Sequence, residues 1–432
     1  MFETLKNAWK IADLRKKILF TLFILLLFRI GSAIPVPFLD PSGMKEMLSQ
    51  SGNLLGYLDV LTGGALGNAT IFAMSITPYI TSSIVIQLLT IAIPALERMA
   101  KEGEDGRKKI NKITRYTTVG LALIQAIAYY LMLRNTSGVV QYTTGFSGWF
   151  AAIVIVACFT AGTALIVWLG EQINEKGIGN GISMILFAGI LSRFPSVIAT
   201  FIAYFQLAAI GQTQYYFLVP LVVIIFLVVI AFIVLMTNAE RRIPVQYAKR
   251  VVGRKQYGGQ SSHIPVKVNM SGVMPIIFAS SLLSIPGTIK AFVDPSETGF
   301  WGKFLGAFDY NTAVYAILYF LLIIAFNYFY VSVQYNPIEI SNNIRKNNGT
   351  VPGIRPGKPT SDFIGKIISK ITFIGAIFLA LVAILPIAFG AVSGMNIALG
   401  GTTVLIIVGV AIDTMRQMES QMMMRHYKGF LE

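Results

Sequence analysis

The chain has 432 residues, of which 55% are hydrophobic and only 13% are charged. Soluble proteins carry about 25% charged residues, so this composition excludes a soluble globular protein and indicates a polytopic membrane protein. The net charge of +15 predicts surfaces outside the membrane that attract phosphates, anionic lipids or acidic proteins.

The N-terminal segment is amphipathic. Phe2, Leu5, Trp9 and Ala12 share one face of a helix whose other face carries lysines. This pattern predicts an interfacial helix on the cytoplasmic leaflet. The apolar run that follows is long and precedes further spans, so we interpret it as a membrane helix and not as a cleaved signal peptide.

About ten stretches reach the roughly 20 apolar residues that a membrane helix needs. Their predicted limits are Ile18 to Pro37, Thr70 to Pro94, Tyr116 to Leu133, Trp149 to Leu169, Ile182 to Ile198, Phe217 to Met236, Val268 to Ile289, Tyr310 to Tyr330, Ile371 to Phe389 and Ala398 to Met415.

Lysine and arginine are distributed unevenly between the two sides of these spans. Most of them fall in the two tails and the even-numbered connections, whereas Lys45, Arg134, Lys290 and Lys303 fall on the other side. The positive-inside rule therefore predicts that both termini are cytoplasmic. Ten spans would form two halves of five, and an odd number inverts the second half relative to the first.

The connection between the first two spans contains a glycine-rich apolar segment, residues 54–68, which reads LLGYLDVLTGGALGN. It is too short to cross the membrane. Non-helical backbone at membrane depth is tolerated where it is buried in protein or lines a cavity. The pattern predicts a re-entrant segment in an outer funnel, and a partly ordered outer loop is the alternative.

Two arginines lie within the predicted spans. Arg29 is mid-span, where a cation costs about 2.5 to 3.5 kcal/mol on insertion scales. We expect it to face protein and to meet a carbonyl or amide group. Arg193 lies toward the outer end of its span, and we expect it to snorkel to the interface.

No catalytic or metal-binding pattern lies within the spans. They lack midplane carboxylates, both histidines lie outside them, and no paired His/Cys spacing suits a metal. The glycines at 177–181 predict a tight turn between helices and not a phosphate loop. We expect no enzyme activity, cofactor or metal. A small-solute transporter and a lipid-modifying membrane enzyme are the alternatives to a channel.

Two connections, residues 237–267 and 335–370, are long and basic. Long irregular loops are usually functional. Alternating polar and apolar residues predict a cytoplasmic hairpin in the first. Anchoring the topology would need fewer charges, so the pattern favours docking of a large acidic or nucleic-acid partner.

Six motifs in this order resemble the SecY family (SecY/Sec61-alpha), the central subunits of the bacterial SecYEG translocase, over essentially the whole chain. They are PYITSSIVIQLL (Pro78 to Leu89), GEQINEKGIGNGIS (Gly170 to Ser183), ERRIPVQYAKR (Glu240 to Arg250), VNMSGVMPIIFASS (Val268 to Ser281), VPGIRPG (Val351 to Gly357) and GGT (Gly400 to Thr402).

The resemblance implies an all-α polytopic membrane protein with ten transmembrane helices in two pseudo-symmetric inverted halves and a re-entrant plug helix. The implied divisions are a cytoplasmic N-terminal segment 1–17, a first half 18–198 with the plug at 58–68, an outer hinge 199–216, a second half 217–415 with docking loops 237–267 and 335–370, and a cytoplasmic tail 416–432.

The resemblance also assigns site residues, all of which the sequence pattern alone would treat as core, loop or surface. The pore ring is Ile76, Ile80, Leu186, Ile190, Ile277 and Ile406, and Leu186 replaces the family's usual isoleucine. The plug contains Leu58, Asp59, Leu61, Gly63, Gly64 and Leu66. The lateral gate contains Gln87 and Asn269. The docking residues are Arg241, Arg242, Lys249, Arg250, Arg254 and Arg355.

The implied function is that of the pore-forming subunit of a protein-conducting channel in the bacterial plasma membrane. It translocates unfolded secretory proteins and releases transmembrane segments sideways into lipid. The implied partners are SecE, SecG, the SecA motor ATPase, the ribosome, signal sequences, unfolded preproteins and anionic lipids. A motor must supply the energy, because the chain has no nucleotide-binding motif.

Overall fold

The computed structural model describes residues 2–50, 59, 62–135, 138–210, 212–247, 250–252, 255–257, 261–293, 299–309, 312–393 and 401–428. The described chain is mostly helical. The first part contains α1 (Phe2–Lys10), α2 (Ala12–Gly31), α3 (Pro41–Gln50), α4 (Thr77–Ala92), α5 (Pro94–Lys101), α6 (Glu104–Asn135), α7 (Gly145–Lys176), α8 (Gly181–Leu191) and α9 (Phe194–Ala209).

The second part contains the strands as well as helices. In chain order it has α10 (Tyr215–Asn238), β1 (Glu240–Tyr247), β2 (Arg250–Val252), β3 (Lys255–Tyr257), β4 (Ser261–Lys267), α11 (Met274–Val293), α12 (Phe300–Gly306), α13 (Ala313–Gln334), α14 (Pro337–Lys346), β5 (Gly349–Thr350), α15 (Lys358–Ser393) and α16 (Gly401–Lys428).

Each of the ten predicted apolar stretches contains a helix. Six described helical segments are long and apolar enough to cross a membrane, and α4 with α5 makes a seventh if this pair, bent by 105°, is one span. In α10 only 17% of the apolar window is buried, against 56% in α15. Most of α10 is therefore exposed in this chain, whereas α15 lies among other helices.

The glycine-rich sequence after α7 forms the predicted tight turn into α8. Asn180 caps α8 by accepting a hydrogen bond from the Ser183 amide at 3.3 Å. The Gly179 amide donates to Gln417 Oε1 of α16 at 2.8 Å. This turn therefore joins the first part of the chain to its last helix.

Three methionines on one face of α16 pack inside the protein. Met418 is 4% exposed and lies in one cluster with Ala8, Leu14 and Ile178. Met415 and Met422, which share its helical face, pack against the same cluster. These three methionines thus attach the C-terminal helix to the N-terminal helices.

The chain after α2 forms a small platform at the end of the bundle opposite the hairpin. Pro35 and Thr70 form an isolated antiparallel bridge, as do Leu39 and Val140. The Val36 amide donates to the Ala69 carbonyl at 2.8 Å. The platform pins the chain at Thr70, just before it turns toward α4.

Gly162 of α7 allows the backbone before α4 to approach closely. A Cβ at this position would lie 2.0 Å from the Ile71 carbonyl oxygen, which is inside contact distance. The backbone there cannot move freely, because the Ile71 amide donates to the Ile34 carbonyl at 3.1 Å. Only glycine fits here without displacing main chain.

We expect Gly162→Ala to destabilise the protein by about 1 to 3 kcal/mol through overpacking. The matched control is Gly120→Ala in α6, where an added Cβ meets nothing within 4 Å and gains helix propensity. Thermal unfolding in detergent, followed by size-exclusion chromatography, measures both. Equal midpoints for the two variants would contradict the close approach.

Candidate functional site

A segment that we call the folded-back segment, described at residues 59 and 62–76, lies between α3 and α4. The Gly64 amide donates to the Asp59 carbonyl at 2.8 Å, and Gly63 and Gly64 have φ of +69° and +85°. Residues 62–69 form turns. The predicted plug, residues 58–68, lies partly outside the described residues, at 58, 60 and 61.

The folded-back segment is buried. Asp59 is 5% exposed, Thr62 3%, Ala65 0% and Leu66 3%. A Cβ on Gly63 would lie 2.7 Å from the Gly189 carbonyl oxygen of α8, so the segment packs directly on that helix. The predicted plug residues Leu58 and Leu61 lie outside the described residues. The re-entrant prediction is favoured over a loose outer loop by this burial.

Arg29 contacts the folded-back segment as its mid-span position predicted. Its Nη1 donates to the Gly63 carbonyl at 3.2 Å and to Ser192 Oγ at 3.2 Å. The expectation that it meets a carbonyl group is confirmed.

The expectation for Arg193 was wrong. This side chain does not extend to the interface but pairs with the carboxylate of Asp59. The sequence did contain a signal for this pair. The re-entrant segment carries one carboxylate, Asp59, and charged side chains within a membrane usually pair with one another. Sequence reasoning missed this pair, and it also missed Ser192.

Apolar side chains from α4, α8 and α16 meet in one cluster beside the folded-back segment. Ile76 is 0% exposed, Leu186 8%, Ile190 1% and Ile406 4%, and Ile80 packs against them. Ala65 of the folded-back segment belongs to the same cluster. Five of the six predicted ring positions are thus brought together, directly against the segment.

The remaining ring position and the predicted gate residues lie elsewhere. Ile277 of α11 is half-buried and is not a member of the described cluster. Gln87 is exposed on α4. Asn269 lies between β4 and α11, where its Oδ1 is buried without a hydrogen-bond partner and its side chain lines a cavity of about 360 Å³.

The predicted hairpin is confirmed. β1 and β4 pair in antiparallel register, with Ile243 opposite Ile264. Ile243 and Val245 are 2% and 1% exposed, while their neighbours along β1 face outward. This alternation is typical of a sheet with one buried face.

The second basic loop joins the hairpin instead of forming a separate site. β5 pairs with β1 through Gln246 and Thr350 and through Tyr247 and Gly349. Ile243 shares one apolar cluster with Ile344 of α14 and Ile364 of α15. We call this unit, residues 240–247, 261–267 and 337–371, the basic lobe.

The predicted docking residues are distributed over this lobe and its surroundings. Arg241, Arg242 and Arg355 are exposed, and Arg242 Nε donates to Glu240 Oε1 at 2.8 Å. Arg355 lies in a turn between Gly353 and Gly357, both at positive φ. Arg250 lies in β2, whereas Lys249 and Arg254 fall outside the described residues.

The described residues form a bundle of apolar helices with a buried apolar cluster, a folded-back segment beside that cluster and a basic lobe, which is the architecture of a polytopic membrane protein. The SecY family model matches residues 70–415. The protein translocase subunit SecY of Streptomyces coelicolor is 42% identical over 447 residues, and that of Halalkalibacterium halodurans is 44% identical over 442, each covering both chains fully. The chain belongs to the SecY family of protein translocase subunits.

Solved structures of SecY and Sec61 proteins have a fold similar to that of this chain. A SecY protein studied for its plug domain aligns with a TM-score of 0.67 at 18% identity, covering 94% of this chain and 92% of that one. Sec61 in the canine ribosome-channel complex aligns with a TM-score of 0.62 at 17% identity and the same coverage. The family is one of channel subunits and not of enzymes.

The shared core of the basic lobe predicts that damage to the hairpin loosens the entire lobe. Ile243→Ala removes a buried side chain and should cost about 2 to 4 kcal/mol locally. We expect faster trypsin cleavage within residues 240–267 and also near Arg355. Gln246→Ala, which changes an exposed position of the same strand, serves as control. Cleavage confined to the hairpin would show that the two loops fold separately.

Proposed function

We propose that this chain is the central pore-forming subunit of a passive channel that translocates unfolded secretory proteins and releases transmembrane segments into the plasma membrane. It has ten spans in two inverted halves, 18–198 and 217–415, hinged at 199–216, with the segments 1–17 and 416–432 in the cytoplasm. The observation that carries the proposal is the apolar cluster around Ile76, Ile190 and Ile406, which lies directly against the folded-back segment.

The apolar cluster suits a pore that must accept many sequences. Its branched aliphatic side chains make no hydrogen bonds, so they select no particular residue in a passing chain. A narrow apolar constriction also dewets when empty, which limits ion flow. Bulky side chains that meet from several helices can separate and close again without breaking polar contacts.

Residues 58–68, whose described part belongs to the folded-back segment, serve as the plug. Its burial against α8 and against the constriction supports a seal of the resting pore. One similar solved structure concerns a SecY protein whose plug domain stabilises the closed channel and maintains a membrane seal. In this chain the two glycines at positive φ let the segment fold back within a few residues.

The lateral gate lies between α4 and α11, with α6 and α13 alongside. Gln87 is exposed on α4, and Asn269 before α11 has an unpartnered Oδ1. Neither group therefore locks the two helices together through a strong polar bond at these positions. Segments in the pore would partition into lipid according to their own hydrophobicity.

The basic lobe docks the motor. Arg241 and Arg355 are exposed on a unit with a continuous apolar core, so a partner bound there can act on α15. Acidic surfaces of the SecA ATPase and the phosphates of the ribosome both suit arginine. A similar solved structure is of Sec61 bound in a ribosome-channel complex. SecE and SecG are the proposed membrane partners.

The central test asks whether a translocating chain passes the apolar cluster. In a Cys158→Ser background, Ile406→Cys should form an oxidative cross-link to a single cysteine in a stalled secretory chain. Val223→Cys, on the exposed face of α10, is the control and should not cross-link. No cross-link from Ile406→Cys while SecA or ribosomes are bound would overturn the pore and favour a small-solute transporter.

Docking predicts a specific loss in the basic lobe. We expect Arg355→Glu to lower the initial translocation rate at least about tenfold, because one charge-assisted contact contributes about 1.5 to 3 kcal/mol. Membrane insertion of the variant should be unchanged. Lys45→Glu alters an exposed cation at the opposite end of the bundle and should translocate normally. Translocation assays on inverted vesicles compare the two, and full activity of Arg355→Glu would exclude the docking role.

A further inference from the structure

Two arginines converge on the folded-back segment from the surrounding helices. Arg29 of α2 donates to the Gly63 carbonyl at 3.2 Å and to Ser192 Oγ at 3.2 Å. The Ser192 hydroxyl has a single proton, and it lies 2.7 Å from the Gly189 carbonyl of α8 and 3.3 Å from the Gly63 carbonyl. Arg29 is therefore the main side-chain donor to this backbone oxygen of the segment.

The second arginine holds the segment by charge. Arg193, between α8 and α9, donates through Nη2 to Asp59 Oδ2. The side chain of Asp59 is 8% exposed and that of Arg193 29%, so water screens this pair only in part. The attraction between Asp59 and Arg193 is therefore stronger than that of a fully exposed ion pair.

Asp59 links the fold of the segment to its attachment. Its Oδ1 accepts a hydrogen bond from the Gly67 amide at 2.7 Å, which closes the turns of the segment. Its Oδ2 accepts from Arg193 on the wall. The same carboxylate thus shapes the segment and fastens it, so the segment binds to the wall in its folded form.

Withdrawal of the segment would separate two polar contacts at once. Arg193 would lose the Asp59 carboxylate, and an unpaired cation within the bundle is costly. Arg29 would lose the Gly63 carbonyl and keep its bond to Ser192 Oγ.

We propose that Arg193 and Asp59, with Arg29 on the Gly63 carbonyl, form a latch that holds the plug in the resting channel. The latch rests on the proposed sealing role of residues 58–68. Arg193 and Arg29 act as positioning residues, since they determine where the plug lies and take no part in conducting the chain. The strength of the ion pair then determines how readily the plug leaves.

The test measures plug displacement directly. In the full chain with Cys158→Ser, Thr62→Cys places a thiol at a position that is 3% exposed. Its labelling by a membrane-impermeant maleimide from the outer side reports departure of the plug, and conductance in planar bilayers reports the seal. The variants are Arg193→Glu, Asp59→Lys, and the double exchange that combines Asp59→Lys with Arg193→Glu.

We expect each single reversal to raise the labelling rate at least about tenfold and to raise conductance, because like charges then face one another in a partly desolvated site. The double exchange should return labelling to within about threefold of the parent, as a restored pair does in a double-mutant cycle. Arg134→Glu, at the end of α6 and outside this cluster, is the matched control and should leave both readouts unchanged.

The outcomes distinguish a failure of the proposed latch from a failure of the proposed sealing role. Deletion of residues 58–67 raises conductance if the segment is the seal, and unchanged conductance would overturn the sealing role itself. If the deletion raises conductance but Arg193→Glu labels like the parent, the segment seals without this latch. Single variants that open the channel but are not rescued by the exchange would show misfolding of the segment, and the ion-pair latch would be wrong.

Discussion

The backbone of the folded-back segment has to satisfy its polar groups inside a bundle of lipid-facing helices, and most of the site follows from that constraint. Where α-helical bonding stops at Gly63, the free carbonyl needs a donor that water cannot reliably supply. Arg29 supplies it. The cost of a cation in a span, about 2.5 to 3.5 kcal/mol, is offset by the hydrogen bonds that it makes there.

The basic lobe and the folded-back segment are held together by different kinds of contact. The basic lobe has one apolar core built from segments a hundred residues apart, so a load on any part of it spreads to α14 and α15. The folded-back segment is held by the polar contacts of Asp59 and Gly63 and also by apolar packing, since Leu66 and Phe72 lie in two buried clusters. The basic lobe is thus a single packed unit, whereas the folded-back segment can separate from its neighbours without breaking a sheet or a helix.

Sequence reasoning succeeded where local chemistry decides the outcome. The turn at Gly177, the strand alternation around Ile243 and the need of Arg29 for a carbonyl each follow from a few neighbouring residues. The family resemblance then placed Ile76, Ile190 and Ile406, which by pattern alone are ordinary core residues.

The contacts that sequence reasoning missed all join residues that are far apart in the sequence. Nothing near Arg193 indicated Asp59, 134 residues earlier, and the snorkelling expectation rested on its position in the span alone. The pairing of β5 with β1 joins residues whose spacing has no periodic signature. The close approach of Gly63 to the Gly189 carbonyl likewise joins residues that are far apart in the sequence.

The bridge between Pro35 and Thr70 has a kinetic consequence. If residues 58–68 move out as the proposed plug, they remain attached at Thr70, and the roughly eleven residues back to Asp59 span at most about 40 Å. Their return is then a unimolecular step, with an effective concentration in the millimolar range for a short flexible tether. The time for which the proposed channel stays open after a substrate leaves is therefore independent of how many channels the membrane holds.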